Sequence, residues 1–180
     1  MKLFRLFRIP GLSAKGSLPL FNLLDSFLQS DKVLSMDTFI QHGDTSCLLH
    51  SVAVAYFSLL LIQLFRVRCD KHSLMRGALL HDYFLYDWHV ADRSHRLHGF
   101  THGRTALRNA SADFTINPRE AEIISRHMFP LTPIPPRCRE GLIICFVDKL
   151  CSSYEVFARR PYPALRGKLN EAKLASLATH

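Results

Sequence analysis

An all-α, single-domain helical bundle is the fold the sequence predicts, on three observations. Apolar residues fall in long blocks at mixed spacings of three and four. No stretch sustains a two-residue alternation bounded by Asn-Gly or Asp-Gly turns. Capping residues and prolines separate the blocks at intervals that suit helices. At 180 residues, with 48% hydrophobic and 21% charged residues, the chain is long enough and apolar enough to bury a core.

Taken in order, a first helix is expected over 18–28. A second runs from about Thr45 to Arg66, opened by Gly43 and the capping types Asp44, Thr45 and Ser46. A third starts near Asp70 to Ser73 and passes through Leu74, Ala78, Leu79, Leu80, His81 and Asp82. The segment from Asp87 to Thr101 holds Trp88 and the histidines His89, His95 and His98 without periodicity and reads as a loop, after which Thr101 caps a helix through Ala110. Asn117-Pro118-Arg119-Glu120 combines a cap, a first-turn proline and a capping-box acid. That helix reaches His127 and is stopped by Pro130, Pro133, Pro135 and Pro136. A helix from about Arg137 to Phe157 contains Asp148, and a polar one from Lys168 to Ala178 ends the chain. The expected division is an N-terminal helical extension over 1–43, the main domain over 44–160 and a tail or short helix over 161–180.

The formal net charge of +8 favours anionic partners, whether phosphate-bearing small molecules, nucleic acid or membrane, and equally describes a solvated basic surface. Lys2, Arg5 and Arg8 in a cationic, amphiphilic start read as part of an ordered first helix, with contact to a membrane surface as the alternative. The longest apolar run, Val52 to Phe65, is broken by Ser58 and Gln63 and falls short of the roughly 18 to 20 residues that span a bilayer, so no transmembrane segment is expected. Five cysteines, none in Cys-x-x-Cys spacing, read as free thiols of a reducing, cytoplasmic setting.

The chemistry is concentrated where polar residues break apolar blocks. Asp148 follows Leu142-Ile143-Ile144-Cys145-Phe146-Val147, His81-Asp82 lies between Ala78-Leu79-Leu80 and Tyr83-Phe84, and His50 sits between Leu48-Leu49 and Val52-Ala53. An ionised carboxylate in such surroundings needs a cation or strong donors close by. A bound metal meets that need. One such histidine alone reads as a core residue, but here the exceptions fall on three apolar helices that must pack together.

In order and approximate spacing, His50, His81-Asp82 and Asp148 resemble the H…HD…D signature of the HD-domain phosphohydrolases. His50-Ser51-Val52-Ala53-Val54-Ala55 and Gly77-Ala78-Leu79-Leu80-His81-Asp82 are similar to that family's two ligand helices, and the resemblance covers roughly Asp44 to Glu155. It implies an HD-type bundle that holds a metal through His50, His81, Asp82 and Asp148. It further implies hydrolysis of a phosphomonoester or phosphodiester by metal-activated water, with a small nucleotide as the expected substrate and Asp82 as the catalytic residue. His102 and His127 match the additional ligand positions of two-metal members; the competing reading makes them helix-end residues. Arg126 stands where a second histidine is common, and the Gly-Tyr-Pro signature of cyclic-di-GMP phosphodiesterases is missing, so the count of one ion or two stays open, with two expected. Imidazole and carboxylate ligands suit Mn, Fe, Co, Ni or Mg without choosing among them.

Arg104, Arg126 and Lys149 adjoin ligand positions and are the candidates to bind substrate phosphate, against the alternative of surface ion pairs. His42, His89, His95 and His98 read as loop histidines that a phosphate could also use, and Tyr86 and Trp88 as covers of the core mouth. Two rival functions remain. One is a di-iron oxygenase on the same ligand set, as the superfamily also contains; the other is a non-catalytic nucleotide or nucleic-acid binding module, which the positive charge permits.

Overall fold

The computed structural model describes residues 14–90, 92–93 and 96–178. Lys2, Arg5, Arg8 and His95 lie outside the described residues. Within the described residues the chain is all-α apart from one small hairpin: α1 (Ala14–Phe27), α2 (Asp31–Ser35), β1 (Ile40–His42), β2 (Thr45–Ser46), α3 (Cys47–Leu64), α4 (Lys71–Leu80), α5 (His98–Asp113), α6 (Pro118–Arg126), α7 (Arg139–Phe157) and α8 (Pro163–Leu177).

The axis of the bundle is α3. Ser46 caps it by accepting a hydrogen bond from the Leu49 amide, and every residue from Cys47 to Ala55 is buried, so the helix is enclosed on all sides. It packs against α1, α4, α7 and α8. By length and hydropathy it is the one described helix that passes as a membrane span, and 67% of it is buried inside the protein. Burial of each Leu, Val or Ile side chain contributes about 1.5–3 kcal/mol, which makes this helix the largest single source of core stabilisation. Leu20 and Leu24 of α1 and Leu165 and Leu169 of α8 join the same core.

Asp70 caps α4, accepting from the amides of His72 and Ser73. The helix ends at Leu80, which leaves His81 as its C-cap and Asp82 in the turn beyond. Gly77 lets α6 come close, because a Cβ there would stand 2.7 Å from Cγ2 of Ile123. The capping box at the head of α6 is formed in full: Asn117 accepts from the Glu120 amide, and Glu120 accepts from the Asn117 amide.

Three boundaries differ from expectation. The first turn of α5 begins at His98, three residues before Thr101, and its N-cap Leu97 has no side-chain cap to announce it; Thr101 Oγ1 instead donates to the Leu97 carbonyl. Cys138 caps α7 through its sulfur, so that helix starts at Arg139. Pro163 opens α8 five residues ahead of Lys168, after Tyr162 in a left-handed conformation. The short α2 and the hairpin have no counterpart among the expected elements. In the hairpin Ile40 faces Ser46 and His42 faces Thr45. Its turn residue Gly43 has φ of +54°, and a Cβ there would lie 2.8 Å from the Glu155 carbonyl oxygen. Glycine is needed twice over, and it seats Gln41 and His42 against α7 and the head of α3.

Candidate metal centre

Five helices meet at one buried point. His50 comes from the first turn of α3, His81 and Asp82 from the end of α4, His102 from the second turn of α5, His127 from the C-cap of α6 and Asp148 from the middle of α7. All six are buried, none more than 6% exposed. The structure therefore brings together every residue the sequence offers as a ligand.

Each imidazole is held by its Nδ1. His81 faces the Ala78 carbonyl at 2.7 Å, His102 the His98 carbonyl at 2.8 Å and His127 the Ile124 carbonyl at 2.8 Å. Carbonyls only accept, so in all three rings Nδ1 carries a proton, and Nε2 presents a lone pair when the ring is neutral. His50 is held differently, its Nδ1 lying 2.8 and 3.0 Å from the two oxygens of Glu155. A ring nitrogen tied to an outer acceptor while the other points inward is the usual arrangement of a metal-ligating histidine.

The inward atoms form two sets that share Asp82. Around its Oδ2 lie His81 Nε2 at 3.3 Å and His50 Nε2 at 3.7 Å, and Asp148 Oδ1 stands 3.2 Å from His50 Nε2 and 3.9 Å from His81 Nε2. Around Oδ1 of Asp82 lie His102 Nε2 at 3.3 Å and His127 Nε2 at 3.5 Å. His81 Nε2 and Asp82 Oδ1 have no hydrogen-bond partner among the described residues. The Nε2 atoms of His102 and His127 stand 2.8 Å apart, a distance that calls for a shared proton or a shared metal ion between the two rings. Such a pair, with buried orphan acceptors beside it, fits a divalent ion, and two groups, His50/His81/Asp148 and His81/Asp82/His127, each bring three donor atoms within 4.8 Å of one another.

The two carboxylates are held in the ionised form that suits a cation, while His50 would give up a proton to a bound ion. Burial opposes ionisation of Asp82, yet His81 and His102 hold its carboxyl well below the usual range. Asp148 is lowered in the same way against burial by His50 and Lys149. Burial also works against a charge on His50, but Glu155 and Asp148 raise it well above an ordinary histidine. His127, pushed by burial and then by His102 and His81, falls to about 3 and stays a neutral donor.

The centre forms the floor of a cavity of about 890 Å³. Lys149 reaches it, its Nζ donating to Asp148 Oδ2 at 2.9 Å and to the His127 carbonyl at 2.6 Å. Arg104 and Arg126 do not line it. Arg104 is exposed on α5, and Arg126 pairs with Glu122 and donates to the Pro135 carbonyl. The cations on the cavity wall besides Lys149 are Arg93 and Arg96. His42, His98 and Trp88 line the cavity, with the Tyr86 hydroxyl 2.8 Å from His98 Nδ1, whereas His89 sits by Asp87 in the loop.

Three supporting residues lie outside the set the sequence points to. Gln41 donates to Asp82 Oδ2 at 2.6 Å and accepts from Cys47. Ser152 donates to Asp148 Oδ1, and Glu155 orients His50. Ser152 and Glu155 follow Asp148 by four and seven, which places all three on one helix face; that spacing is the available signal. Gln41, uncharged and in a three-residue strand, gives none. Comparison of the chain with known protein families, characterised proteins and solved structures finds no match.

Proposed function

We propose that this protein is a metal-dependent phosphohydrolase of the HD-domain type, acting on phosphate esters. The observation that carries the reading is the gathering of donors around Asp82, whose two oxygens each face histidine nitrogens, with His81 belonging to both donor groups, at the floor of a cavity with cations on its wall. His50, His81, Asp82 and Asp148 would hold one ion, and Asp82, His102 and His127 a second. Divalent ions bound there supply Lewis acidity toward a phosphoryl oxygen and lower the pKa of water.

The chain's own residues do the rest. Lys149, placed between Asp148 and the cavity, has a third N–H to offer a phosphate oxygen, and Arg93 and Arg96 neutralise its remaining charge. Asp82 accepts a hydrogen bond from the attacking water and orients it. Gln41 and Ser152 fix the two carboxylates so that neither rotates as charge shifts.

The test is elemental analysis of the purified protein followed by release of phosphate or alcohol from nucleotides, phosphomonoesters and phosphodiesters with Mn, Ni, Co and Mg. More than half an equivalent of metal and turnover with at least one ester are expected. Protein that holds no metal and gains no thermal stability from any divalent ion refutes the centre. Substrate oxidation by the iron form in air, without phosphate release, replaces the reading by the oxygenase alternative.

A further inference from the structure

The wall of the cavity away from the metal centre differs from what a nucleotide needs. Reading a base or sugar takes uncommitted donors and acceptors on that wall. Most of the polar side chains there are already engaged, Gln41 with Asp82, Ser152 with Asp148 and His98 with Tyr86, and His42, Arg93 and Arg96 stand apart from these. Asp92 is likewise engaged within the protein. The rest of that wall is apolar or aromatic: Trp88, Val90, Leu97, Phe100 and Met128. Val90, Leu97 and Phe100 are 59%, 63% and 54% exposed, a contiguous apolar rim that nothing in the chain covers among the described residues. Trp88 stacks on His98 with 9° between the rings, and His98 stacks on His102 with 15°, so the apolar wall runs down to the metal centre. Arg93 and Arg96 stand on the same rim, where an anionic headgroup enters.

Resting on the phosphohydrolase reading, we infer that the substrate is an amphiphile: a phosphate ester whose alcohol carries an alkyl or isoprenoid chain. The phosphate sits on the donor floor beside Lys149, and the chain lies along Leu97, Phe100 and Met128 to leave over the exposed rim. The hydrophobic contribution of each buried methylene corresponds to about a fourfold gain in affinity, less where the chain stays partly wet. About six buried methylenes therefore separate long from short chains by at least roughly 100-fold, whereas a hydrogen-bonded pocket shows no such ladder.

Trp88 is the only tryptophan, so its emission reports occupancy directly. The experiment titrates Mn-loaded protein with ethyl-, octyl- and dodecylphosphonate below their micelle-forming concentrations and with adenosine monophosphate. Phosphate release from the matching alkyl phosphates is followed in parallel. Affinity rising at least roughly 100-fold from ethyl to dodecyl, with a blue shift of Trp88, is expected, together with a flattening of that ladder about tenfold or more in Leu97→Asp and Phe100→Asp. Equal binding of all chain lengths, or a nucleotide bound more tightly than the dodecyl compound, overturns the inference. Flat binding with phosphate released from ethyl phosphate overturns the slot and leaves hydrolysis standing. A clear chain-length ladder without phosphate release from any metal-loaded sample keeps the slot and overturns hydrolysis.

Discussion

Replacing Glu155 by Gln tests whether this carboxylate tunes one of the two donor sets. Both its oxygens lie within 3.0 Å of His50 Nδ1 and the side chain is fully buried. A glutamine keeps one acceptor for the Nδ1 proton, so the ring stays oriented and only the charge is lost. A hydrogen bond to a charged group contributes about 1.5–3 kcal/mol and a neutral one about 0.5–1.5 kcal/mol, a difference of about 1–1.5 kcal/mol. That corresponds to about tenfold weaker metal binding, the lower end of what removal of an outer partner costs a metal site. Glu155→Ala leaves the Nδ1 proton without an acceptor and should approach roughly 100-fold. Calorimetric titration with Mn in a His127→Ala background isolates the His50 set, and the same titration in a His50→Ala background isolates the other. The expectation is weakening confined to the His50 set, with alanine worse than glutamine. Unchanged affinity in both variants, or equal loss at both sets, would refute the role given to Glu155.

Other outcomes follow from the same geometry. Asp82→Asn should keep the fold, by circular dichroism and thermal melt, yet lose at least about 100-fold in turnover, because both donor sets meet on this carboxylate; near-normal activity would make Asp82 purely structural. His102→Ala or His127→Ala should lower bound metal by about one equivalent in elemental analysis while the His50 set stays filled. Asp70→Ala should destabilise by about 1 kcal/mol at pH 7 through loss of the α4 cap, and Asp70→Asn by much less. The Asp70 carboxyl is held below its ordinary value by its hydrogen bonds with Ser73. Its stabilisation is therefore complete above about pH 4 and lost as pH falls through the lowered value, so the gap between wild type and Asp70→Ala, read from urea melts, should close in acid.

His50, His81, Asp82 and Asp148 are legible in the sequence because burial and polarity conflict locally, a histidine or aspartate inside an apolar run standing out by composition alone, whereas His102 and His127 are reached only through the family resemblance. The α6 start is legible for a similar reason, since Asn117, Pro118 and Glu120 carry their own hydrogen-bonding logic. Arg104 and Arg126 show where linear proximity misleads. Two residues after His102 and one before His127, they point about 200° and 100° away around their helices, off the face that carries the ligand. Arg93 and Arg96 reach the cavity from a loop with no periodicity to announce it. The head of α5 lacks a side-chain cap to announce it, α8 is announced only by its first-turn Pro163 after an uncapped Tyr162, and the hairpin is too short for alternation to register.

The way the four histidines are tethered has a consequence for assembly. His81, His102 and His127 each bond a carbonyl three or four residues back in their own helix, so the turn that carries the ring also aims it. His50 depends on Glu155, 105 residues further along the chain. Three ligands are thus oriented as soon as their helices form, and the fourth only when α7 docks against α3. Folding should complete the His102/His127 half first, and chelation under mild denaturant should release the His50 half first, since the His50–Glu155 contact joins more distant parts of the chain than the His102–His127 contact does.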